Sequence, residues 1–105
     1  MPSTTSMTCE VLFFTAPWCD PCRQAAPIFS EVVAELGVTA RFVDVDLDPD
    51  LADRVGVDML PTVAIRTDGT VSGTLTGSRP KAELRSFIQD SLPKVSMTGG
   101  SDVAK

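Results

Sequence analysis

Two cysteines three positions apart, Cys19 and Cys22, most constrain what this chain can fold into, because they follow an apolar run and open a helical pattern. The first backbone N–H groups of a helix have no partner, and its N-terminus carries a partial positive charge. A thiolate is stabilised there, so Cys19 is expected to lose its proton more readily than a free cysteine. Cys22 lies one turn further along the same helix face, within reach of Cys19. The pattern predicts a strand that leads into a helix, with a disulfide that can form and break at the junction.

A Cys-x-x-Cys pair is also typical of half a zinc site, or of two buried structural cysteines. A structural zinc ion takes about four nitrogen or sulfur ligands. Since the chain has three cysteines and no histidine, one copy cannot complete such a site with these ligands alone. We therefore favour redox chemistry and expect no bound metal.

The stretch Trp18-Cys19-Asp20-Pro21-Cys22 resembles the active site of the thioredoxin family, whose usual form is Trp-Cys-Gly-Pro-Cys. The tryptophan before the pair, the proline inside it and the strand-then-helix context make this resemblance much stronger than a bare Cys-x-x-Cys. It implies that Cys19 and Cys22 are the catalytic residues and that Trp18, Asp20 and Pro21 support them. Pro21 suits the first helical turn, where a missing N–H costs nothing.

Asp20 stands where the family usually has glycine. Its charge should oppose the Cys19 thiolate, whereas the helix dipole and Arg23 should favour it. These opposite effects leave the reduction potential of the cysteine pair open. Asp20 is also a natural N-cap for the helix, and this interpretation accounts for it equally well.

Short apolar runs alternate with helical patterns along the chain. The predicted elements are strand 10–15, helix 20–36, strand 40–46, helix 49–54, strand 62–66, strand 71–76 and helix 80–92. Apolar residues at helical spacing predict the face of the long helix that packs on the sheet, namely Ala26, Phe29, Val33 and Leu36. The order β-α-β-α-β-β-α predicts an α/β fold in which a four-stranded mixed sheet, two parallel strands plus a C-terminal hairpin, is flanked by three helices. This order matches the core of the thioredoxin-like fold, which implies the strand order second, first, third, fourth, with the third antiparallel to the first.

The length of 105 residues predicts one domain, which we place at residues 9–93. Residues 1–8 are expected to form a flexible leader and residues 94–105 a flexible C-terminal tail. The leader lacks the basic start and the apolar stretch of a signal peptide, and no apolar run reaches the ~18–20 residues of a membrane span. The formal net charge of −5 disfavours binding to nucleic acid or anionic membranes. We therefore expect a cytoplasmic protein.

A second motif, Leu60-Pro61-Thr62, precedes the third strand. Cis bonds are only ~5–6% of X–Pro bonds in folded proteins, but the thioredoxin resemblance implies a cis proline followed by threonine here, facing the cysteines. The backbone of Leu60 would then pair with an extended substrate segment as a short β-bridge. A proline that merely opens an edge strand is the alternative.

The resemblance also places Gly77 on the docking surface, although a turn glycine is a competing interpretation. Trp18, Leu60, Pro61 and Gly77 are together expected to frame a flat, mildly apolar substrate-binding patch around Cys19. Such a patch suits protein disulfides better than small molecules.

Two positions that are buried in the family depart from its pattern. Thioredoxins usually have an aspartate six residues before the first cysteine, proposed to relay the proton of the second cysteine, and often pair it with a lysine. These positions hold Phe13 and Phe42. Because removal of only one partner would leave an uncompensated buried charge, a coordinated replacement is physically sensible. We expect Cys22 to remain a thiol with a high pKa and to attack the mixed disulfide slowly near neutral pH.

A third cysteine, Cys9, begins the first strand. Burial as a small hydrophobic residue is the expected role, and a regulatory or dimer-forming thiol is the alternative.

Four aspartates alternate along one stretch, Asp44, Asp46, Asp48 and Asp50. Their spacing is that of a calcium loop, but Pro49 stands at the turn-glycine position and Val55 at that of the bidentate glutamate. A strand end that runs into a capped helix explains the stretch better.

The sequence therefore indicates a thioredoxin-like thiol–disulfide oxidoreductase, a protein disulfide reductase and electron carrier acting through Cys19 and Cys22. The resemblance implies disulfide-containing protein substrates, a flavin-dependent thioredoxin reductase that uses NADPH, and no cofactor on the chain itself; we expect a monomer. A glutaredoxin-like protein reduced by a small thiol is an alternative, favoured by the short N-terminal part. Trp18 and Leu-Pro-Thr oppose it, because glutaredoxins typically have Cys-Pro-Tyr-Cys and Thr-Val-Pro. A non-catalytic binding module is another alternative, since fold does not determine function.

Overall fold

The computed structural model describes residues 9–92. Its elements are β1 (Cys9–Thr15), α1 (Asp20–Leu36), β2 (Thr39–Asp44), α2 (Pro49–Val55), β3 (Thr62–Thr67), β4 (Thr70–Thr76) and α3 (Lys81–Ser91). Each begins and ends within two residues of its predicted bounds. The predicted leader (residues 1–8), the predicted tail (residues 94–105) and residue 93 lie outside the described residues. Among the described residues, no helix is long and apolar enough to cross a membrane.

The four strands form one mixed sheet in the order β2-β1-β3-β4, which confirms the predicted fold and strand order. β1 pairs in parallel with β2 and antiparallel with β3, and β3 pairs antiparallel with β4. The parallel pair needs a crossover connection, and α1 supplies it. Since β1 and β2 run in the same direction, their C-terminal ends meet at one edge of the sheet, where Thr15 is opposite Asp44.

The hydrophobic core lies on both faces of β1, whose apolar run at residues 11–14 is buried. On one face, Phe13 lies in a cluster with Phe29 of α1 and Ile88 of α3. On the other face, Phe14 lies in a cluster with Leu51 of α2. A strand covered on both faces reads as a continuous apolar run, as this one does.

The caps of α1 position the cysteine pair. The N-cap is Cys19, with an extended backbone (φ −94°, ψ 103°), and the prediction that Asp20 is the N-cap is wrong. Asp20 is the first helical residue, where its carboxylate still faces the positive end of the helix. Gly37 ends the helix in the left-handed conformation (φ 66°) that glycine adopts without steric cost.

The buried stripe of α1 is centred one position away from the predicted face. Cys22, Phe29 and Val32 are buried, at spacings of seven and three residues that keep them on one side of the helix. The other predicted residues flank this stripe and are partly buried against the core, namely Ala26, Val33 and Leu36.

Ion pairs join α1 to α3. Glu35 accepts hydrogen bonds from Lys81 (2.9 Å) and Arg85, and Lys81 also pairs with Glu31 at 3.3 Å. The hydrogen bonds from Lys81 and Arg85 hold the pKa of Glu35 below its usual value of 4.5. The two glutamates raise the pKa of Lys81 above its usual value of 10.5.

Replacing Glu35 by glutamine is expected to lower the melting temperature by a few degrees at pH 7 and low salt. A carboxyl whose pKa is lowered by folding stabilises the protein above its unfolded pKa, and this contribution disappears as the pH falls through the folded value. The difference in melting temperature between Glu35→Gln and the parent should therefore shrink as the pH falls below 4.5 and vanish below the folded pKa of Glu35. It should also vanish in ~1 M salt, because the pairs are exposed. Calorimetry under these conditions measures the melting temperatures of the variant and the parent. The control is Asp90→Asn, which changes an exposed carboxylate on α3 that has no ion pair with any described residue, and an equal pH dependence there would contradict the prediction.

Candidate active site

A disulfide joins Cys19 and Cys22 at the N-terminus of α1, with their Cα atoms 5.3 Å apart. The pair follows β1 at the edge where the parallel strands end, which is where sites form in α/β folds. Cys19 is 5% exposed and Cys22 is 0% exposed. An incoming disulfide can therefore reach Cys19 but not Cys22.

The backbone at the start of α1 stabilises a negative charge on Cys19. The N–H of Cys22 donates to the Sγ of Cys19 at 3.2 Å. This is an N-cap hydrogen bond with sulfur in place of the usual side-chain oxygen. In the dithiol form, the same N–H and the helix dipole favour the thiolate of Cys19 over the thiol.

Asp20 and Arg23 form an ion pair on the exposed first turn of α1. Arg23 also donates from Nη1 to the carbonyl oxygen of Pro17 at 2.8 Å. The guanidinium therefore joins the loop to the helix and offsets the Asp20 charge near Cys19. Asp20 and Arg23, for which opposite effects on the Cys19 thiolate are predicted, form one exposed ion pair. The net effect of such a pair on the thiolate is small in water.

Trp18 is 65% exposed, and its Nε1 donates to Oδ2 of Asp46 at 2.9 Å. Asp46 comes two residues after β2, and the connection is held by a hydrogen bond of 2.9 Å from the N–H of Val45 to the carbonyl of Thr15. Asp46 thus holds the indole ring beside the disulfide, a role that sequence reasoning missed. The signal that could have found it is the parallel pairing, because residues that follow adjacent parallel strands meet at the same edge of the sheet.

Other aspartates of the acidic stretch have structural roles. Asp44 accepts a hydrogen bond from the N–H of Asp46 at 2.8 Å. Asp48 is the N-cap of α2 and accepts from the N–H of Leu51 at 3.3 Å. Both contacts agree with a strand end that runs into a capped helix.

The Leu60–Pro61 peptide bond is cis. The carbonyl of Pro61 accepts from the N–H of Gly77 at 2.8 Å, and the hydroxyl of Thr62 donates to the carbonyl of Met59 at 2.6 Å. These hydrogen bonds hold the backbone on either side of the proline. Within residues 9–92, the N–H and C=O of Leu60 have no hydrogen-bond partner, so they are available to an added strand.

A groove of about 620 Å³ opens beside Cys19. Trp18 and Pro21 line it from the start of α1, while α2 and the following segment 57–60 line it from the opposite side. The structure therefore differs from the flat patch that the sequence predicts, because α2 and this segment form a wall. We call this feature the active-site groove.

Gly77 does not line the active-site groove. Its backbone has a φ of 84°, which favours glycine, and it lines a separate small cavity with Ile28. Among the four predicted substrate-binding residues, the structure brings Trp18 and Leu60 to the groove. Pro61 connects Leu60 to Gly77 through the hydrogen bond between Pro61 and Gly77.

The interior behind the disulfide is aromatic and apolar. Cys22 shares a cluster with Phe13 and Phe29, and the ring of Phe13 lies 4.8 Å from that of Phe29 and 5.2 Å from that of Phe42. Phe13 is buried, but Phe42 is 49% exposed because β2 is an edge strand of the described sheet. The expectation of burial is thus wrong for Phe42. Thr62 is the only buried polar or charged residue among residues 9–92, so no carboxylate is buried beside Cys22 in this part of the chain.

Cys9 is a free, partly buried thiol at the start of β1. The hydroxyl of Thr67 donates to its Sγ at 3.8 Å, and the side chain packs against the cluster that contains Phe13. These contacts agree with the role of a small hydrophobic residue.

Comparisons with known proteins identify what this chain is similar to. A family model described as Thioredoxin matches residues 4–90. A thioredoxin from Listeria monocytogenes is 43% identical over 77 residues, which cover 71% of this chain and 75% of that protein. A thioredoxin from Bacillus subtilis is 36% identical over 81 residues, with coverage of 75% and 78%. Among solved structures, a thioredoxin from Malassezia sympodialis has a TM-score of 0.72 and 30% identity, with coverage of 80% and 75%. A mutant thioredoxin from Halobacterium salinarum has a TM-score of 0.73 and 25% identity, with coverage of 80% and 74%.

Proposed function

This chain belongs to the thioredoxin family, and on that premise we propose how its cysteine pair works. The protein is a thiol–disulfide oxidoreductase that reduces protein disulfides. The observation that carries the proposal is the unequal exposure of the two bonded cysteines, since only Cys19 has solvent-accessible surface. We assign Cys19 as the nucleophile and Cys22 as the resolving thiol.

The first step is attack by the Cys19 thiolate on one sulfur of a substrate disulfide. A bond forms between Cys19 Sγ and that sulfur, and the substrate S–S bond breaks. The second substrate sulfur leaves as a thiolate and takes a proton from water. The N–H of Cys22 supports this step because it donates to Cys19 Sγ and so favours the thiolate, which is the attacking form, over the thiol.

The second step releases the substrate. Cys22 loses its proton to water and attacks Cys19 Sγ, so the Cys19–Cys22 bond forms and the bond from Cys19 to the substrate breaks. The released sulfur is protonated, and two electrons have then passed from the dithiol to the substrate. The disulfide present in the structure is the product of this step.

Leu60 and Trp18 are the residues that we propose for substrate binding. The N–H and C=O of Leu60 have no hydrogen-bond partner in the described part of the chain, so they can pair with an extended polypeptide as a short β-bridge. Trp18 and Leu60 both line the groove beside Cys19, so a peptide bound there would pass over the sulfur that reacts.

A reductant must return two electrons to the Cys19–Cys22 disulfide. We infer a flavin-dependent thioredoxin reductase that uses NADPH, supported by family membership. A reactive Cys-x-x-Cys pair suits the reducing cytoplasm, and the formal net charge of −5 opposes self-association and favours a monomer.

The test compares two reductants as the source of electrons during turnover. Catalytic amounts of the protein, supplied with NADPH and a flavin-dependent thioredoxin reductase, should reduce insulin at least ~10-fold faster than with glutathione as the only reductant. Insulin precipitation and NADPH consumption measure the two rates. Cys9→Ser is the matched control and should behave as the parent, since Cys9 lies outside the bonded pair. Faster turnover with glutathione would instead support a glutaredoxin-like route, and no turnover with either would contradict the proposed function.

A further inference from the structure

The active-site groove carries negative charge. Three acidic residues line it, namely Asp20, Asp53 and Asp58, and no lysine or arginine of residues 9–92 does. Arg54 follows Asp53 in α2 but lines a different cavity with Arg66. The groove therefore has an excess of acidic residues of its own, in addition to the net negative charge of the whole chain.

Two of these acidic residues have no ion pair within residues 9–92. Asp20 is in an ion pair with Arg23, which offsets its charge. Asp53 and Asp58 are exposed, and neither has an ion pair with any described residue. Asp58 comes two residues before Leu60, where an added substrate strand would lie.

The groove also presents apolar and aromatic surface next to these charges. Trp18 and Met59 are among the large exposed hydrophobic residues of the described chain, and both line the groove. Lysine and arginine bury their aliphatic stems on apolar surface while the charged head remains in water, and an indole face attracts the cation directly. An apolar groove with carboxylates at its wall is thus complementary to these two side chains and repels glutamate and aspartate.

We propose that the active-site groove selects polypeptide disulfides in which lysine or arginine flanks the reacting cysteine, with Asp58 and Asp53 as specificity-determining residues. This inference rests on the proposed function, because it uses the same attack by Cys19 and adds only the class of substrate. Both aspartates act on the approach and docking of the substrate, so the effect is expected in the second-order rate constant and in its salt dependence.

The test uses two synthetic peptides with the same disulfide, one with lysine and one with glutamate on both sides of the reacting cysteine. Their reduction by the dithiol form of the protein is followed at ~10 mM ionic strength. Dithiothreitol attacks as a thiolate with one negative charge, as Cys19 does, so it corrects for the intrinsic reactivity of each peptide toward a thiolate. The corrected rate constant should be ~10-fold higher for the lysine peptide, which is the low end of electrostatic steering. In ~1 M salt the ratio should fall to ~2 or less, because the Debye length is then only ~3 Å.

Matched variants separate the groove from the net charge of the chain. Asp58→Asn should lower the ratio at least ~2-fold and Asp58→Lys should bring it close to one, whereas Asp90→Lys, which makes the same charge change on α3 away from the groove, should leave it unchanged. Equal reduction of the two peptides, or an equal loss of preference in Asp58→Lys and Asp90→Lys, would overturn the inference and leave the proposed function intact. Failure of the protein to reduce either peptide, while dithiothreitol reduces both, would contradict the proposed function itself.

Discussion

Replacing Cys19 by serine is expected to lower the rate of protein disulfide reduction at least ~1000-fold, because a hydroxyl at neutral pH cannot replace a thiolate nucleophile. The fold should survive, since serine is itself a favoured N-cap and Cys19 occupies that position in α1. Insulin reduction with NADPH and a flavin-dependent thioredoxin reductase measures the loss, and circular dichroism verifies the fold. A folded Cys19→Ser protein that keeps a tenth of the parent rate would rule out Cys19 as the nucleophile.

The resolving cysteine should give a different result. Cys22→Ala removes the second step but leaves the first, so this variant should accumulate a mixed disulfide between Cys19 and the substrate. Alanine is preferable to serine here, because Cys22 is fully buried in an apolar cluster and an unpaired hydroxyl there would cost ~1–3 kcal/mol. Non-reducing electrophoresis would show the complex. If Cys22→Ala turned over as fast as the parent, Cys22 would have no role in resolution.

Much of the fold follows from local patterns in the sequence. The buried run at residues 11–14, the capped helix that ends at Gly37 and the Asp-Gly turn at Asp68-Gly69 each specify an element through short-range chemistry. The crossover helix then requires a parallel pair of strands. These patterns determine the order of elements, and the thioredoxin resemblance supplies the order of strands across the sheet.

The details of the site depend on contacts between distant parts of the chain, which local patterns do not specify. The hydrogen bond from Trp18 to Asp46 joins residues 28 positions apart, and the groove exists because α2 and segment 57–60 lie opposite the start of α1. Phe42 is half exposed because its strand is at an edge of the described sheet, although its own sequence reads as apolar. The N-cap is Cys19 and not Asp20, because the backbone is extended at Cys19 and already helical at Asp20. The general preference for a carboxylate at the N-cap does not determine the residue at which the helix begins.

The aromatic pair behind the disulfide bears on the rate of the second step. Phe13 and Phe42 are opposite each other in the parallel register of β1 and β2, and Phe13 shares a cluster with Cys22. Cys22 is fully buried, and no carboxylate is buried beside it in the part of the chain that the structure describes. This environment disfavours the Cys22 thiolate, so we expect its proton to leave to water or to the substrate. An aspartate at position 13 alone would introduce an uncompensated buried charge, which costs ~3–5 kcal/mol. A lysine at position 42 can supply the counter-charge, because the ring of Phe42 lies 5.2 Å from that of Phe13 and is half exposed, so the ammonium group keeps contact with water.

The double substitution Phe13→Asp with Phe42→Lys is expected to raise the rate of the second step at pH 7 at least ~10-fold, since a positioned general base typically contributes ~10²–10⁴-fold. A single-turnover experiment measures the rate of this second step. A mixed disulfide is first formed between Cys19 and the substrate, and the release of the substrate thiol is then followed between pH 6 and 9. The matched control, Phe13→Asn with Phe42→Lys, has a side chain of the same size without a base and should show no rise. A folded Asp–Lys variant that resolves no faster than this control would show that proton removal from Cys22 does not limit the step. If the Asp–Lys variant does not fold, the parent protein still decides the question. Because burial disfavours the Cys22 thiolate, its rate should still be rising ~10-fold per pH unit at pH 9, above the ordinary thiol pKa of ~8.5, and a plateau below pH 7.5 would mean that Cys22 already has a base.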